Sequence, residues 1–162
     1  DHDLTAMIRG GCNYPLGLTL SVLTETLGGF VTGTFKSGLQ RNYETGIREL
    51  GPLYGAVLDS VSDSKGKKLL YGVVRSVFVH TYIFGRWVEG KLYHLEVSNS
   101  PEEGIAKISS CGLEVHGTKI RMTANTYTFD LMNAYRALFG KVKRRDAQAR
   151  DMMERAILSQ RL

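Results

Sequence analysis

Apolar and polar residues alternate in the first part of the chain in a way that predicts strands. Residues 16–23 place large apolar side chains at every second position, Leu16, Leu18, Leu20 and Val22. This period of two is typical of a half-buried strand. Gly28-Gly29 interrupts the pattern, and residues 30–35 are rich in β-branched and aromatic side chains. We therefore expect a strand, a turn at the two glycines and a partner strand.

From Asn42 onwards the apolar residues follow a helical period, at Ile47, Leu50, Tyr54, Val57, Leu58 and Val61. Asn42 or Thr45 is expected to cap this helix. Pro52 is expected to kink the helix or to begin a second one, because its ring clashes with a preceding helical turn. Residues 62–68 are polar and basic, which predicts a loop. The apolar residues 69–84 fit either a helix followed by a strand or one continuous helix.

The second half of the chain carries clearer strand patterns. Residues 92–98 alternate and predict one strand, and residues 113–124 alternate on both sides of Gly117-Thr118, which predicts a hairpin. From Asp130 the period becomes helical, with Gly140 as the expected stop. A last helix is predicted from an apolar stripe at Ala149, Met152, Met153, Ala156 and Ile157.

These elements predict an α+β fold, in which a small antiparallel sheet packs with helices and a basic amphipathic helix (residues 141–162) ends the chain. The chain has 162 residues, 43% of them hydrophobic and 23% charged, which suits one globular domain over residues 1–162 and excludes a disordered or fibrous protein. Residues 1–12 are interpreted as the flexible start of a trimmed fragment. Cys12 and Cys111 are expected to be thiols in a reducing compartment.

The positive charge of the chain is concentrated at its C-terminal end. The net charge is +5, yet residues 1–135 hold 13 basic and 13 acidic side chains. Residues 136–162 hold 8 basic and 3 acidic side chains, which is the whole excess. A neutral body with a basic terminal element points to an anionic partner, such as nucleic acid, a membrane surface or an acidic protein.

Two basic clusters are the candidate membrane- or phosphate-binding sites, namely Lys65, Lys67 and Lys68, and Lys141, Lys143, Arg144 and Arg145. Each cation contributes about 1 kcal/mol when it lies close to an anionic bilayer. The same cations could neutralise phosphates, in which case binding falls steeply with salt. The lysine loop alone is equally compatible with an ordinary solvated surface. Leu69 and Leu70, beside that loop, are candidates for shallow membrane insertion.

Motifs that carry catalysis are absent from the sequence. The glycines of residues 28–33 do not match a phosphate-binding loop, and no nucleophile elbow is present. The histidines lack the spacing of zinc ligands, and a Cys111–His116 pair is supported by sequence proximity alone. We therefore expect no enzymatic activity, no metal and no cofactor. The aromatic residues Phe78, Tyr82, Phe84 and Trp87 are expected to pack a core or flank a sheet rather than to stack bases.

The order of strand, helix, basic loop, apolar segment and β structure resembles the compact core of rhabdovirus matrix proteins. Residues 112–123, GLEVHGTKIRMT, look similar to the late strands of that core, and the resemblance covers residues 16–130. Two features depart from the family. A Pro-Pro-x-Tyr motif is absent, since the prolines are Pro15, Pro52 and Pro101, and the chain ends in a basic amphipathic helix. A short plant-virus member would accommodate both departures.

The resemblance implies a viral structural protein that self-associates, binds anionic membrane and condenses the nucleocapsid. Its partners would be anionic lipid, the viral nucleocapsid or RNA, and further copies of itself. It would lie on the inner membrane face of the virion and in the host cytoplasm, and the sequence of residues 141–145 also resembles a nuclear localisation signal. The basic clusters leave a second hypothesis open, a compact RNA-binding module such as a viral silencing suppressor or a nucleic-acid-binding accessory protein.

Overall fold

The protein has an α+β fold, as predicted. A computed structural model describes residues 13–36, 38–66, 68–75, 85–98 and 111–160. Within these residues the chain forms, in order, helices α1 (Asn13–Thr32), α2 (Leu39–Glu49) and α3 (Pro52–Ser60), a π-helical turn (Tyr71–Arg75), strands β1 (Gly85–Val88), β2 (Lys91–Ser98), β3 (Leu113–His116) and β4 (Lys119–Thr123), and helices α4 (Ala124–Lys143) and α5 (Ala147–Ser159). The sequence allowed residues 69–84 to form either a helix followed by a strand or one continuous helix. Residues 76–84 of that segment lie outside the described residues.

Helix α1 occupies the segment for which two strands were predicted, so that prediction was wrong. Leu16, Leu20 and Leu27 are fully buried along one side of the helix. The hydroxyl groups of Ser21 and Thr24 donate to the carbonyl oxygens four residues earlier, each at 2.8 Å. The polar positions that suggested alternation are therefore satisfied within the helix. The segment is apolar on several sides, and an alternation of short range cannot distinguish such a helix from a strand.

Two glycines allow α1 and α2 to cross in backbone contact. A Cβ atom placed on Gly28 would lie 1.7 Å from the carbonyl oxygen of Asn42. A Cβ atom placed on Gly46 would lie 2.0 Å from the carbonyl oxygen of Thr24. No side chain fits in either place, so glycine is required there by the close approach of two backbones. The expected turn at Gly28-Gly29 is replaced by this helix crossing.

The predicted helix of residues 42–61 is present as two helices. Pro52 lies in the first turn of α3, where its missing N–H costs nothing, and Gly51 before it has a φ of 133° that favours glycine. Asn42 does not cap the helix, because it is buried inside α2. Its side-chain amide donates to the carbonyl oxygen of Thr34 and its Oδ1 accepts from the Thr32 hydroxyl, both at 2.7 Å. Asn42 thereby holds the end of α1 against α2.

The four strands form one sheet in the order β1-β2-β4-β3. The β1–β2 and β3–β4 pairs are antiparallel hairpins, and the strand of residues 92–98 and the hairpin at Gly117-Thr118 are confirmed. The central pair, β2–β4, is parallel, so the sheet is mixed and the expectation of an antiparallel sheet was wrong at this pair. The buried residues Leu95 and Val97 pair with Ile120 and Met122, so the parallel register joins the apolar faces of the two hairpins.

Helix α4 begins at Ala124 and continues through Gly140 to Lys143, so the expected stop at Gly140 was wrong. The chain turns instead at Arg145, whose φ is 63°. Asp146 caps α5 by accepting the N–H of Ala149 at 3.0 Å. The predicted last helix is confirmed over residues 147–159, whereas residues 141–143 belong to α4. Of its predicted stripe, Ala156 is buried, and Ile157 is 45% exposed.

Buried tyrosines join the helices to the sheet. The Tyr54 hydroxyl of α3 donates to Asp130 of α4 at 2.7 Å and accepts the N–H of Gly112, just before β3, at 2.8 Å. The hydroxyl groups of Tyr127 and Thr24 lie 2.8 Å apart and connect α4 to α1. These bonds satisfy polar groups that would otherwise be costly to bury.

The helix crossing can be tested with Gly46→Ala. The added methyl group would overlap the backbone of α1, so we expect the free energy of unfolding to fall by about 1–3 kcal/mol, as measured by urea denaturation. Gly140→Ala is the matched control, since it lies inside α4 with only Arg144 Nη1 nearby, at 3.6 Å. That change should stabilise the protein by up to about 1 kcal/mol. Equal stability of Gly46→Ala and the wild type would contradict the crossing.

Candidate functional site

The predicted lysine loop is a tight turn whose cations differ in their surroundings. The N–H groups of Gly66 and Lys65 donate to the backbone and side-chain oxygens of Asp63, both at 2.9 Å, which closes the turn. Lys65 is exposed and forms no ion pair with any described residue. The Lys68 ammonium group lies 3.1 Å from Asp59 Oδ1. Lys67 lies outside the described residues. Only Lys65 of this cluster is therefore seen to be available to an anionic partner.

Asp59 is shared between two cations. Its carboxylate accepts hydrogen bonds from the Arg48 guanidinium, at 2.7 and 3.2 Å, and pairs with Lys68. The hydrogen bond from Arg48, followed by that from Lys68, lowers the pKa of Asp59 to about 2. The carboxylate therefore stays charged at neutral pH and offsets part of the positive charge of the loop.

Leu69 and Leu70 do not have the exposure that membrane insertion requires. Leu70 is fully buried in the core, and Leu69 is half-buried and packs against it. The expectation that they insert into a membrane is therefore not supported by this fold. Their apolar character serves packing at the start of the π-helical turn, which a sequence pattern cannot distinguish from an exposed patch.

The hairpin of β1 and β2 lies beside the lysine loop. Glu89, in the two-residue turn between the strands, accepts the N–H of Ser64 at 3.1 Å and also its hydroxyl proton. Glu89 and Gly90 have φ values of 49° and 74°, which suit the tight turn of a two-residue hairpin. Trp87, in β1, is 69% exposed. Trp87 is therefore not part of the core, and its ring is exposed on an edge strand of the sheet. Phe78, Tyr82 and Phe84 lie outside the described residues.

All four members of the second predicted cluster, Lys141, Lys143, Arg144 and Arg145, are exposed and adjacent at the end of α4. The two clusters lie near opposite ends of α2. Gln40, at its start, contacts the carbonyl oxygen of Lys68 at 3.5 Å, whereas Glu49, at its end, lines the same cavity as Lys141. Ten residues of helix from Gln40 to Glu49 span about 14 Å. The structure does not bring the two clusters together.

Helix α4 carries a row of aromatic and basic residues, with the half-buried Met132 among them, that the sequence did not reveal. Its members recur every three or four residues and share one side of the helix: Phe129, Met132, Arg136, Phe139 and Lys143. We call this row the α4 stripe. Phe129 is 63% exposed and Phe139 is 47% exposed. The helical spacing was visible in the sequence, but the helix was predicted to begin at Asp130, which left Phe129 out of it.

The α4 stripe has a favourable electrostatic setting for an anionic partner. The sole carboxylate of α4 is Asp130, which accepts the hydroxyl proton of Tyr54 and so faces the interior. Phe139 stacks on Tyr135, with ring centroids 6.0 Å apart, and the Tyr135 hydroxyl donates to the carbonyl oxygen of Leu23 at 2.7 Å. Burial raises the pKa of Tyr135 to about 12, so it remains a neutral donor. The stripe is thus held on the body of the protein.

The residues considered for catalysis do not form a reactive pair. The Cys111 thiol donates to the carbonyl oxygen of Leu113 at 2.8 Å, and burial raises its pKa, which disfavours the reactive thiolate. His116 is exposed and lies 3.4 Å from Glu114. Over the described ranges, no group of three or more His, Cys, Asp or Glu side chains could hold a metal ion. In those same ranges, no helix has the length and apolar character needed to cross a membrane.

Comparisons with known proteins identify no relative of this chain, since no family model, curated protein or solved structure matches it.

The shared carboxylate can be tested by NMR titration of Asp59. Arg48→Gln should raise the pKa of Asp59 more than Lys68→Gln does, because Arg48 makes the larger contribution. The folded-state pKa is lower than the ordinary value of 3.8, so these ion pairs stabilise the fold above about pH 4 and lose their effect as the pH falls to about 2. An unchanged pKa in Lys68→Gln would show that Lys68 is free for another partner.

Proposed function

We propose that this protein is a matrix-type structural protein that binds the surface of an anionic membrane through the α4 stripe and Arg144, which follows the stripe at the end of the helix. The observation that supports this most strongly is the alternation of exposed phenylalanine with Arg136 and Lys143 on a helix face without a carboxylate. Apolar rings beside cations are the combination with which amphipathic helices lie in the headgroup region of a bilayer.

The two parts of this surface have separate roles in the proposed contact. Phe129 and Phe139 would enter the boundary between headgroups and acyl chains, as apolar side chains of interfacial helices do. Arg136, Lys143 and Arg144 would pair with anionic headgroups, each contributing about 1 kcal/mol. Lys65 and Trp87 are not needed for this contact, because the lysine loop lies near the other end of α2. The membrane contact would thus be confined to one side of the protein.

The structural role, in which the same molecule binds membrane, associates with itself and condenses the nucleocapsid, comes from the resemblance of residues 112–123 to rhabdovirus matrix proteins. The strand that begins the resembling order of elements is helix α1 in the structure, so the proposal is supported by the α4 stripe. The runner-up is the compact RNA-binding module. The α4 stripe has one property of an RNA-binding surface, since exposed aromatic rings beside arginine can stack on bases. Two rings about 15 Å apart along the helix are few for a stacking platform, so we place the membrane first.

Vesicle co-sedimentation tests the membrane contact. Arg136→Gln/Lys143→Gln should weaken binding to phosphatidylserine-containing vesicles about 30-fold, which corresponds to about 2 kcal/mol for two cations. Lys36→Gln/Arg41→Gln removes the same charge from exposed positions elsewhere and serves as the control. Phe129→Ala should also weaken binding, because its exposed ring would no longer insert, while the fold should be unaffected.

The same variants distinguish the two candidate functions. Binding of single-stranded RNA can be measured by fluorescence anisotropy, and we expect it to be weak. Both double variants should lose RNA affinity to the same extent, because each removes two positive charges and the RNA would respond to net charge alone. Submicromolar RNA binding that falls in Arg136→Gln/Lys143→Gln but not in the control, together with no binding to anionic vesicles, would reject the membrane proposal in favour of the RNA-binding module.

A further inference from the structure

A cavity of about 550 Å³ lies between the start of α2, the lysine loop, the π-helical turn and the β1–β2 hairpin. Its volume falls in the range of about 300–1,000 Å³ that is usual for small-molecule sites. Most of its wall is polar, and none of the described residues of α4 or α5 lines it. The cavity is therefore a candidate site for a small polar ligand, separate from the α4 stripe.

One charged group of this cavity has no partner among the described residues. The carboxylates of Asp63 and Glu89 accept hydrogen bonds from backbone N–H groups of the lysine loop, at 2.9 and 3.1 Å. The ammonium group of Lys68 is held by Asp59. Arg86 is exposed and forms no ion pair with any residue that the structure describes. The guanidinium of Arg86 is therefore available to an anionic ligand.

The π-helical turn determines where the Arg86 guanidinium lies. A Cβ atom placed on Gly72 would lie 2.2 Å from Arg86 Nη1, so the glycine leaves open the space that the guanidinium occupies. Arg75, on the same turn, is paired with Glu25 at 2.9 Å. Arg86 lacks such a carboxylate in the part of the chain that is described. A planar guanidinium favours a carboxylate or phosphate group, which it can bind with two parallel hydrogen bonds.

The outer edge of β1 supplies a second means of recognition. β1 is an edge strand, and the cavity contacts residues 86–89 consecutively, so it lies along this edge. The N–H of His94 donates to the carbonyl oxygen of Thr118 at 2.9 Å and so points away from β1. Because hydrogen-bonded and non-hydrogen-bonded pairs alternate, the Trp87–Leu92 pair, two residues further along, is not hydrogen-bonded. The N–H and C=O of Trp87 therefore point outwards from the sheet, towards the cavity.

An adjacent donor and acceptor match the edge of a nucleobase. Adenine, for example, presents its N7 acceptor beside its N6 amino donor. Tyr71 lines the cavity and is held edge-to-face against Tyr43, with ring centroids 5.6 Å apart. Its ring, together with Leu69 and Val88, provides an apolar surface on which a base can lie. An extended peptide that adds a strand needs several outward-facing residues, whereas the cavity reaches only Trp87.

We propose that this cavity binds a single nucleoside phosphate, with its phosphate group on Arg86 and its base hydrogen-bonded to the N–H and C=O of Trp87. The same chemical unit occurs as a free nucleotide and at the 5′ end of an RNA strand, and competition binding distinguishes these two sources. The site is built from α2, the lysine loop, the π-helical turn and β1. It does not depend on the membrane contact through α4, so the two proposals can fail separately.

Isothermal titration calorimetry with AMP, adenosine and inorganic phosphate tests the site. AMP should bind at least tenfold more tightly than adenosine or phosphate, because both halves of the nucleotide make contacts. Arg86→Gln should weaken AMP binding at least about tenfold, as expected for a lost hydrogen bond to a charged group. Lys91→Gln, which removes a cation from the same hairpin outside the cavity, should bind AMP like the wild type. Absence of AMP binding, or equal affinities of the two variants, would overturn the proposal.

Gly72→Ala tests the position of the guanidinium without removing its charge. The added methyl group would displace Arg86, so AMP affinity should fall at least about threefold. The double variant Gly72→Ala/Arg86→Gln should bind AMP no more weakly than Arg86→Gln, because both changes act through the same group. Additive losses would contradict the proposed contact. The comparison of Arg86→Gln with Lys91→Gln decides the matter if Gly72→Ala does not fold.

NMR spectroscopy locates the base. The backbone amide resonance of Trp87 should shift when AMP is added and should stay in place with inorganic phosphate. AMP binding without a shift of this amide would overturn the proposed contact at the edge of β1. Saturation of the site by an acidic peptide, with no effect of AMP, would overturn the choice of ligand.

Competition against AMP distinguishes the two sources of the ligand. Displacement by an RNA oligonucleotide with a 5′-phosphate, but not by the same oligonucleotide with a 5′-hydroxyl, would support the proposal with an RNA end as the ligand. Failure of both oligonucleotides to displace AMP would support a free nucleotide. Equal displacement by both would overturn the proposal, because the terminal phosphate would then not be the group that is bound.

Discussion

The contact on which the other elements depend is the crossing of α1 and α2 at Gly28 and Gly46. Because the two backbones touch, Asn42 can reach the end of α1, and Thr24 comes within hydrogen-bond distance of Tyr127. The buried faces of the sheet and of α4 then pack against this pair of helices. Replacing either glycine would separate the two helices and would also displace Thr24 from Tyr127, whose hydrogen bond connects α1 to α4.

Elements defined by local signals were predictable from the sequence. The β3–β4 hairpin follows from alternation around Gly117-Thr118, and the break between α2 and α3 follows from Pro52. Helix α1 was not predictable in this way, because its identity depends on packing against α2 through glycines that are ordinarily read as turns. The direction of β4 relative to β2 was also beyond a local pattern, since alternation indicates which face is buried but not which strand lies beside it.

In the candidate site too, some features follow from the sequence alone and others depend on the fold. The basic residues at the end of α4 were found because charge is a property of the sequence alone. Whether a cation is available is a property of the fold: Lys68 pairs with Asp59, which is nine residues earlier on another element. The α4 stripe could have been found by extending the helical period back to Phe129. The cavity that Glu49 and Lys141 line could not have been found from the sequence, since its walls come from segments more than a hundred residues apart in the chain.

The parallel pairing of β2 and β4 has a consequence for how the protein reaches its fold. Each hairpin closes over a two-residue turn, and isolated hairpins of this kind form in about 1–10 μs. The central pairing joins His94 to Lys119, which no short turn can bring together. We therefore expect the rate-limiting step of folding to be the pairing of the preformed β1–β2 hairpin with the preformed β3–β4 hairpin. Until that step is complete, β2 and β4 each have an unpaired edge that another chain can bind.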